Sequence, residues 1–251
     1  MEQNGTTCAK PLLIGFSGKI GSGKSTICEM LERLLSIRLG LSVKTISFGM
    51  VLKRKVAQTF NFPLDWCYST DGKAQHIKFS QPHYLLEEEV HAFKEDVTFK
   101  KQTVIMPHSR GMNVRSLLQW WGTEVCRRHD PHYWVKEWKK EVNRASLLDV
   151  VLIDDVRFPN ELYAISGNPD AFGCVFRVHP YENWNFYSEH ESETALDTYD
   201  FGKEWTLTPE KGHNYLQEIA WNIFEKIQSN QLQTRIQERK DQEGENGFER
   251  W

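Results

Sequence analysis

Residues 18–25 read Gly-Lys-Ile-Gly-Ser-Gly-Lys-Ser and match the pattern G-x-x-x-x-G-K-[ST] of a phosphate-binding loop. Glycines leave room for successive backbone N–H groups to point inward at phosphate oxygens. Lys24 can extend its ammonium group to the β- and γ-phosphates, and the Ser25 hydroxyl can bind a Mg²⁺ ion that bridges the same oxygens. We therefore predict an ATP·Mg²⁺ site, formed by Gly18, Lys19, Gly21, Ser22, Gly23, Lys24, Ser25 and Thr26.

The flanking sequence supplies a strand and a helix that position this loop. Residues 11–17 are mostly apolar and predict a short buried strand, and residues 27–39 carry apolar residues at helical spacing. A helix that starts at the loop directs the positive end of its dipole at bound phosphates. The alternative is a structural turn with an incidental lysine, and the strand and helix on either side favour nucleotide binding instead.

A second group of candidate residues follows the apolar stretch 147–153, which predicts a buried strand of a parallel sheet. Asp154 or Asp155 can hold the water shell of Mg²⁺ or orient an acceptor molecule. Arg157 adds positive charge where phosphoryl oxygens develop negative charge. The alternative is an Asp-rich turn with a helix N-cap at Asn160, and a nearby phosphate-binding loop favours the functional interpretation.

The sequence after the first helix predicts a further strand over residues 41–48 and a helix over residues 50–62. Lys53 lies near the start of this helix, at the carboxyl end of the strand, where open α/β sheets place their ligands. A solvated helix lysine is the alternative interpretation.

The helix predicted after Asn113 carries Arg115 and Gln119 four residues apart, on one face. An arginine and an amide presented together suit recognition of a phosphate and a base. An exposed pair on a surface helix is an equally open alternative. Trp134 lies on the following helix, where an aromatic side chain can either pack in the core or stack on a base.

Alternating strands and helices predict an α/β fold with a parallel sheet and one core domain over residues 11–228. Residues 1–10 form an N-terminal extension, and residues 63–112 an insertion over the site. The rest of the core predicts strands at 173–178 and 205–207, a polar aromatic loop at 181–199 and a helix at 208–227. Residues 229–251 are charged and predict a frayed helix or a disordered tail.

The composition limits the classes of partner. The chain has 31 Lys and Arg residues against 34 Asp and Glu, a net charge of −3, which disfavours a broad basic surface for nucleic acid. Its five cysteines are scattered without a C-x-x-C pair, which indicates reduced thiols and disfavours zinc. No apolar run approaches the roughly 20 residues that span a bilayer. We expect a cytoplasmic monomer or homodimer that acts on small molecules, without nucleic-acid or membrane partners.

Six stretches in order resemble the phage-type deoxynucleoside monophosphate kinases, within the P-loop nucleoside monophosphate kinase-like group. They are GKIGSGKST, FGMVLKRKVA, VRSLLQWWGTE, HYWVKEW, DDVRFPNE and HESE, and the resemblance covers roughly residues 11–227. It implies a P-loop NTPase-like three-layer fold whose helical insertions form an acceptor site and a lid. It also implies transfer of the ATP γ-phosphoryl group to a deoxynucleoside 5′-monophosphate, which gives ADP and the diphosphate for DNA synthesis, in the host cytoplasm if the protein is phage-encoded.

The resemblance also implies roles for individual residues. Arg115 and Arg157 would neutralise phosphate charge, and Trp134 would contact the base or sugar. Asp155 and Glu161 would position the substrate. The implied catalytic residues are Lys24, Arg115, Asp155 and Arg157. The loop and strand patterns favour Ser25 and Asp154 as metal ligands. The implied acceptor site comprises Lys53, Arg115, Gln119, Thr123, Trp134, Asp155, Arg157, Glu161 and Glu193.

Three alternative functions remain open at this point. The first is another small-molecule P-loop kinase, such as a dephospho-coenzyme A kinase or a nucleoside kinase. The second is a non-kinase ATPase or GTPase switch, although the chain has no N-K-x-D guanine-reading tetrapeptide. The third is an interaction protein with a degenerate site, which the intact Lys24 and Ser25 disfavour. For the kinase, we expect residues 63–112 and the helices of 115–145 to close over the bound nucleotides and exclude water.

Overall fold

The computed structural model describes residues 11–77, 111–145, 147–180, 190–208, 214–234, 237 and 241. The chain divides into two compact units. The first unit comprises Met1–Phe48 and Trp138–Trp251, and the second unit comprises Gly49–Glu137. The predicted N-terminal extension at 1–10 and most of the predicted insertion, residues 78–110, lie outside the described residues.

Strands and helices alternate along much of the described chain. The strands are β1 (Leu12–Ser17), β2 (Val43–Thr45), β3 (His76–Ile77), β4 (Met112–Asn113), β5 (Val150–Val156), β6 (Phe172–Val178) and β7 (Thr206–Leu207). The helices are α1 (Lys24–Leu39), α2 (Phe48–Thr59), α3 (Thr70–Ala74), α4 (Val114–Gln119), α5 (Tyr133–Arg144), α6 (Pro159–Ser166), α7 (Glu191–Thr194) and α8 (Tyr215–Gln228). Short 3₁₀ segments span Leu64–Cys67 and Lys203–Trp205, and a π-helical segment spans Trp120–Arg127.

The first unit contains a five-stranded parallel sheet with the order β2-β5-β1-β6-β7. All six residues of β1 are buried, as expected for a strand with parallel neighbours on both sides. Helix α1 packs on β2 and β5 and against α8, while α6 packs on β1 and β6. The α/β class and the parallel sheet that the sequence predicts are therefore confirmed.

The described residues of the second unit are organised around an apolar cluster that contains several aromatic rings. Strands β3 and β4 form a two-stranded antiparallel ladder. The buried cluster includes Trp121, Tyr133 and Trp134, and the last two rings meet edge to face with centroids 4.6 Å apart. Such aromatic pairs contribute to stability beyond the apolar area that they bury.

The strand boundaries differ from the sequence prediction at two places. Strand β2 ends at Thr45, and α2 begins at Phe48, because the Phe48 N–H donates to Asp155 Oδ1 at 2.8 Å and its ring packs on Trp138. The prediction of a strand over 147–153 is shifted, since β5 runs from Val150 to Val156. Asp154 and Asp155 therefore lie within β5 and not after its end.

Other boundaries also change. Asn160 is not the N-cap of its helix, because α6 begins at Pro159 and Phe158 occupies the capping position. The loop predicted at 181–199 contains α7, and Trp205 belongs to a 3₁₀ segment and not to the last strand. Helix α8 begins at Tyr215; residues 209–213, where the helix was predicted to start, lie outside the described residues.

Two expectations concern the end of the chain and the membrane. Residues 231–234 of the predicted tail are helical, and most of the remaining tail lies outside the described residues. Among the helices that the structure describes, none combines the length and the apolar character that a bilayer span requires.

Candidate functional site

The loop after β1, residues 18–23, is the glycine loop of this site. Gly18 has φ +149°, and a Cβ added there would lie 2.3 Å from the Val178 carbonyl oxygen. Gly23 has φ +90°, and a Cβ there would lie 2.5 Å from Leu216 Cδ2. Glycine is therefore required at both positions, because the backbone is left-handed there and because Val178 and Leu216 leave no room for a Cβ.

Lys24, the first residue of α1, turns its side chain back into the glycine loop. Its Nζ donates to Gly18 O at 2.8 Å, to Lys19 O at 2.7 Å and to Ser22 Oγ at 3.3 Å. The residue is 8% exposed. Burial lowers the pKa of the Lys24 ammonium to about 8, and the positive charge of Arg157 acts in the same direction. The loop thus encloses a cation that a phosphate group would stabilise.

Ser25 and Asp154 form a second feature beside the loop. The Ser25 hydroxyl donates to Asp154 Oδ2 at 2.7 Å, which joins the first turn of α1 to β5. A hydroxyl and a carboxylate are hard oxygen ligands of the kind that Mg²⁺ prefers, with water and phosphate completing its shell. The described residues contain no group of three His, Cys, Asp or Glu side chains with metal-site geometry. The pair fits a Mg²⁺ ion shared with a nucleotide, because such an ion needs only one or two protein ligands.

Arg157 directly follows β5, and Glu193 links it to the glycine loop. Its Nη1 forms an ion pair with Glu193 Oε1 and donates to Ser192 O at 3.1 Å. The other carboxylate oxygen of Glu193 accepts from the Ile20 N–H of the loop at 3.2 Å. The structure therefore brings together Lys24 and Ser25 of the predicted ATP site, the predicted metal ligand Asp154, and Arg157 and Glu193 of the predicted acceptor site.

Asp155 and Glu161 make backbone contacts around this cluster. Asp155 holds the start of α2 through the Phe48 N–H. Glu161 is 2% exposed, and its Oε2 accepts from Arg157 N at 2.8 Å and from Phe158 N at 3.1 Å. Glu161 therefore fixes the turn that carries Arg157, as a residue in the first turn of a helix often does. Its substrate-positioning role stays a prediction.

The sequence reasoning missed Asp197, which contacts the loop, and Arg177, which contacts Asp197. Asp197 pairs with the Lys19 ammonium and with Arg177, whose Nη2 lies 2.8 Å from Asp197 Oδ1. Lys19 Nζ also donates to Glu193 O at 2.6 Å. No local pattern signals these contacts, because Asp197 is 178 residues from Lys19 in the chain.

The remaining predicted acceptor residues lie in the second unit. Lys53 Nζ stands 4.5 Å from the centroid of the Tyr68 ring. Arg115 and Gln119 are half-buried on α4, and Thr123 lies in the π-helical segment. Long π-helical segments are rare and often accompany functional sites.

Trp134 is a core residue of the second unit. It is 2% exposed, and its Nε1 donates to Gly122 O at 3.0 Å. A buried indole with its N–H bonded to the backbone presents no ring face to a substrate in this structure. Of the two roles weighed for Trp134, the structure shows packing.

Comparisons with known proteins find no matching family model and no matching curated protein. The functional interpretation therefore depends on the site geometry and on the sequence motifs.

Proposed function

We propose that the protein is an ATP- and Mg²⁺-dependent deoxynucleoside monophosphate kinase with a P-loop NTPase-like three-layer fold. The observation that carries the proposal is the buried Lys24 ammonium within the glycine loop, next to the Ser25–Asp154 pair. A buried lysine with a lowered pKa is costly unless an anion joins it. A glycine loop at a helix N-terminus binds phosphate oxygens through its backbone N–H groups and the positive end of the helix dipole.

On the nucleotide side, the backbone N–H groups of residues 21–26 would bind the ATP phosphates. Lys24 would exchange its bonds to Gly18 O and Lys19 O for bonds to phosphate oxygens. Ser25 and Asp154 would hold Mg²⁺, which neutralises charge on the phosphates when bound.

On the transfer side, an oxygen of the acceptor 5′-phosphate would bond to the γ-phosphorus as the bond to the bridging oxygen of ADP breaks. Charge then collects on the transferring group and on the leaving ADP. Arg157 is suited to stabilise that charge, because its guanidinium stays protonated and already faces an anion, the Glu193 carboxylate. Asp155 would orient the acceptor from the neighbouring position on β5.

The acceptor assignment draws on the sequence resemblance. Arg115 and Gln119 would bind the acceptor phosphate and base, with Lys53 and Thr123 beside them. Their partial exposure supports a binding role more than burial would, since a substrate must reach them. Trp134 would contribute by packing beneath this surface and not by direct contact.

The test is a coupled ADP-release assay with ATP and Mg²⁺ against the four deoxynucleoside monophosphates, the four ribonucleoside monophosphates, dephospho-coenzyme A and no acceptor. The proposal predicts turnover with one or more deoxynucleoside monophosphates and little ADP release without an acceptor. Turnover restricted to dephospho-coenzyme A would identify another small-molecule kinase. Equal ADP release with and without every acceptor would identify an ATPase switch and overturn the proposal.

A further inference from the structure

Besides Glu193, a second carboxylate, Asp197, ties the glycine loop to the rest of the first unit. Its Oδ2 pairs with the Lys19 ammonium, and its Oδ1 accepts from Arg177 Nη2 at 2.8 Å. Arg177 lies on β6 and its Nη1 donates to Ser17 Oγ at 3.1 Å. Since Ser17 ends β1 and Lys19 lies in the glycine loop, these contacts and the backbone of residues 17–19 form a closed ring.

Lys19 connects this ring to the predicted phosphate-binding cation. Its side chain is held by Asp197 and by Glu193 O, while its own carbonyl oxygen accepts from Lys24 Nζ at 2.7 Å. A shift of Lys19 would therefore move one of the acceptors that orient the Lys24 ammonium in the free protein, before phosphate oxygens replace them. The anchoring end of the ring is firm, because the Arg177 side chain is only 12% exposed and Ser17 is buried.

We propose that Asp197 is a positioning residue for nucleotide binding, which acts through Lys19 to hold the glycine loop in its receptive shape. This inference rests on the proposed function, because it presumes that the loop binds ATP. An isolated exposed ion pair contributes little, but Asp197 bridges two cations, and one of them is anchored on the sheet. The interaction is therefore a network and not a single surface pair.

The direction in which one substitution changes ATP affinity separates a positioning role from a simple effect of charge. Asp197→Asn removes a negative charge from the neighbourhood of a polyphosphate, and electrostatics alone predicts tighter ATP binding. Loss of the link that Asp197 makes between Lys19 and Arg177 predicts weaker ATP binding. We expect the dissociation constant of a fluorescent ATP analogue with Mg²⁺ to rise about fivefold in Asp197→Asn.

The matched control is Asp200→Asn. Asp200 lies three residues further along the chain, and its Oδ1 accepts from Gly202 N at 2.9 Å, so this variant makes the same charge change away from Lys19. We expect it to bind the analogue as tightly as the unmodified protein or slightly more tightly. Asp197→Glu, which keeps the carboxylate, should restore most of the affinity.

Two further measurements test the route through Lys19. Lys19→Gln should weaken binding to a similar extent, and the double variant should be no weaker than either single variant, because both remove one interaction. In the kinase assay, Asp197→Asn should raise the KM for ATP and leave the KM for the acceptor unchanged.

The outcomes are distinguishable. Failure of the unmodified protein to bind the analogue would overturn the proposed function itself. Binding by the unmodified protein, with Asp197→Asn equal to Asp200→Asn, would overturn the positioning role and leave the proposed function in place. Additive losses in the double variant would exclude the route through Lys19.

Discussion

The two units of this protein differ in what they bury. The described residues with buried polar or charged side chains all belong to the first unit, and they are Ser17, Ser22, Lys24 and Glu161. The buried cluster of the second unit consists of aliphatic, aromatic and sulfur-containing side chains. A buried polar group costs free energy unless it is hydrogen-bonded, and Ser22, Lys24 and Glu161 each have such partners.

This difference makes the first unit the part of the described molecule whose buried groups favour a chemical site. Three of the buried polar residues, Ser17, Ser22 and Lys24, lie in or next to the glycine loop, and hydrogen bonds orient Lys24 and the turn that carries Arg157. In the second unit, the candidate residues Arg115, Gln119 and Lys53 are half-exposed above an apolar core. We therefore expect substitutions in the first unit to affect nucleotide binding and phosphoryl transfer most, and those in the second unit to affect the acceptor.

The largest effect should come from Lys24→Ala. Loss of the ammonium group leaves the transferring phosphoryl group without its enclosed cation, and we expect kcat/KM to fall by about a thousandfold. The measurement is ADP release with the preferred acceptor, together with thermal unfolding to show that the fold persists. Lys44→Ala is the matched control, because Lys44 is an exposed lysine on β2. Near-normal turnover of Lys24→Ala would remove the glycine loop from the proposed chemistry.

Arg115→Ala tests the second unit. If Arg115 binds the acceptor phosphate, its removal should lower kcat/KM for the acceptor by about 10- to 100-fold while the KM for ATP stays unchanged. Steady-state kinetics with each substrate varied in turn make the measurement. Arg128→Ala, at an exposed arginine just after the π-helical segment, is a suitable control. An effect confined to the KM for ATP would exclude the acceptor role of Arg115.

The pKa of Lys24 predicts a smaller, pH-dependent effect. Phosphate anions stabilise the charged ammonium, so ATP binding must raise the pKa of Lys24 above its value of about 8 in the free protein. Between these two pKa values, binding takes up a proton and becomes weaker as the pH rises. We expect ATP affinity to fall about tenfold between pH 7 and pH 9.

Calorimetry in buffers of different ionisation enthalpy measures this proton uptake directly. Lys24→Arg is the control, because a guanidinium group stays charged throughout this range and should abolish the uptake. Proton uptake that persists in Lys24→Arg would assign the linkage to another group.

The sequence predicted the glycine loop and its flanking strand and helix better than the contacts around them. The strand, glycine loop and helix of residues 12–39 are contiguous, so apolar periodicity and glycine spacing suffice to locate them. The bounds of β5 were missed because residue type alone fixes neither burial nor strand pairing. The apolar Leu147 is 88% exposed and outside the strand, whereas the carboxylates Asp154 and Asp155 are inside it.

Contacts distant in the sequence were beyond sequence reasoning. Arg177 lies beside Ser17 because β6 pairs with β1, and Asp197 contacts Lys19 from 178 residues further along the chain. No local pattern in the sequence indicates either contact. Trp134 illustrates a different limit, since residue type alone does not separate a packed indole from a stacking platform. Its bond to Gly122 O decides the question in this structure.

The smallest effect on activity should come from Trp134→Phe. Because the indole packs in the second unit and bonds to Gly122 O, its replacement should lower the free energy of unfolding by about 1–3 kcal/mol. The KM for the proposed acceptor should stay within about twofold of the unmodified value, since the ring is buried. Denaturant unfolding and acceptor kinetics on the same preparation test both statements.

Trp221→Phe gives the matched control for this last substitution. Trp221 is 41% exposed on α8 and bonds to Glu225, so its replacement should change the free energy of unfolding by less than about 0.5 kcal/mol. A large rise in the acceptor KM of Trp134→Phe without loss of stability would mean that the indole leaves the core to meet the substrate. The second unit would then hold a functional aromatic residue. The difference between a first unit with buried functional groups and a second unit with a purely structural core would be smaller.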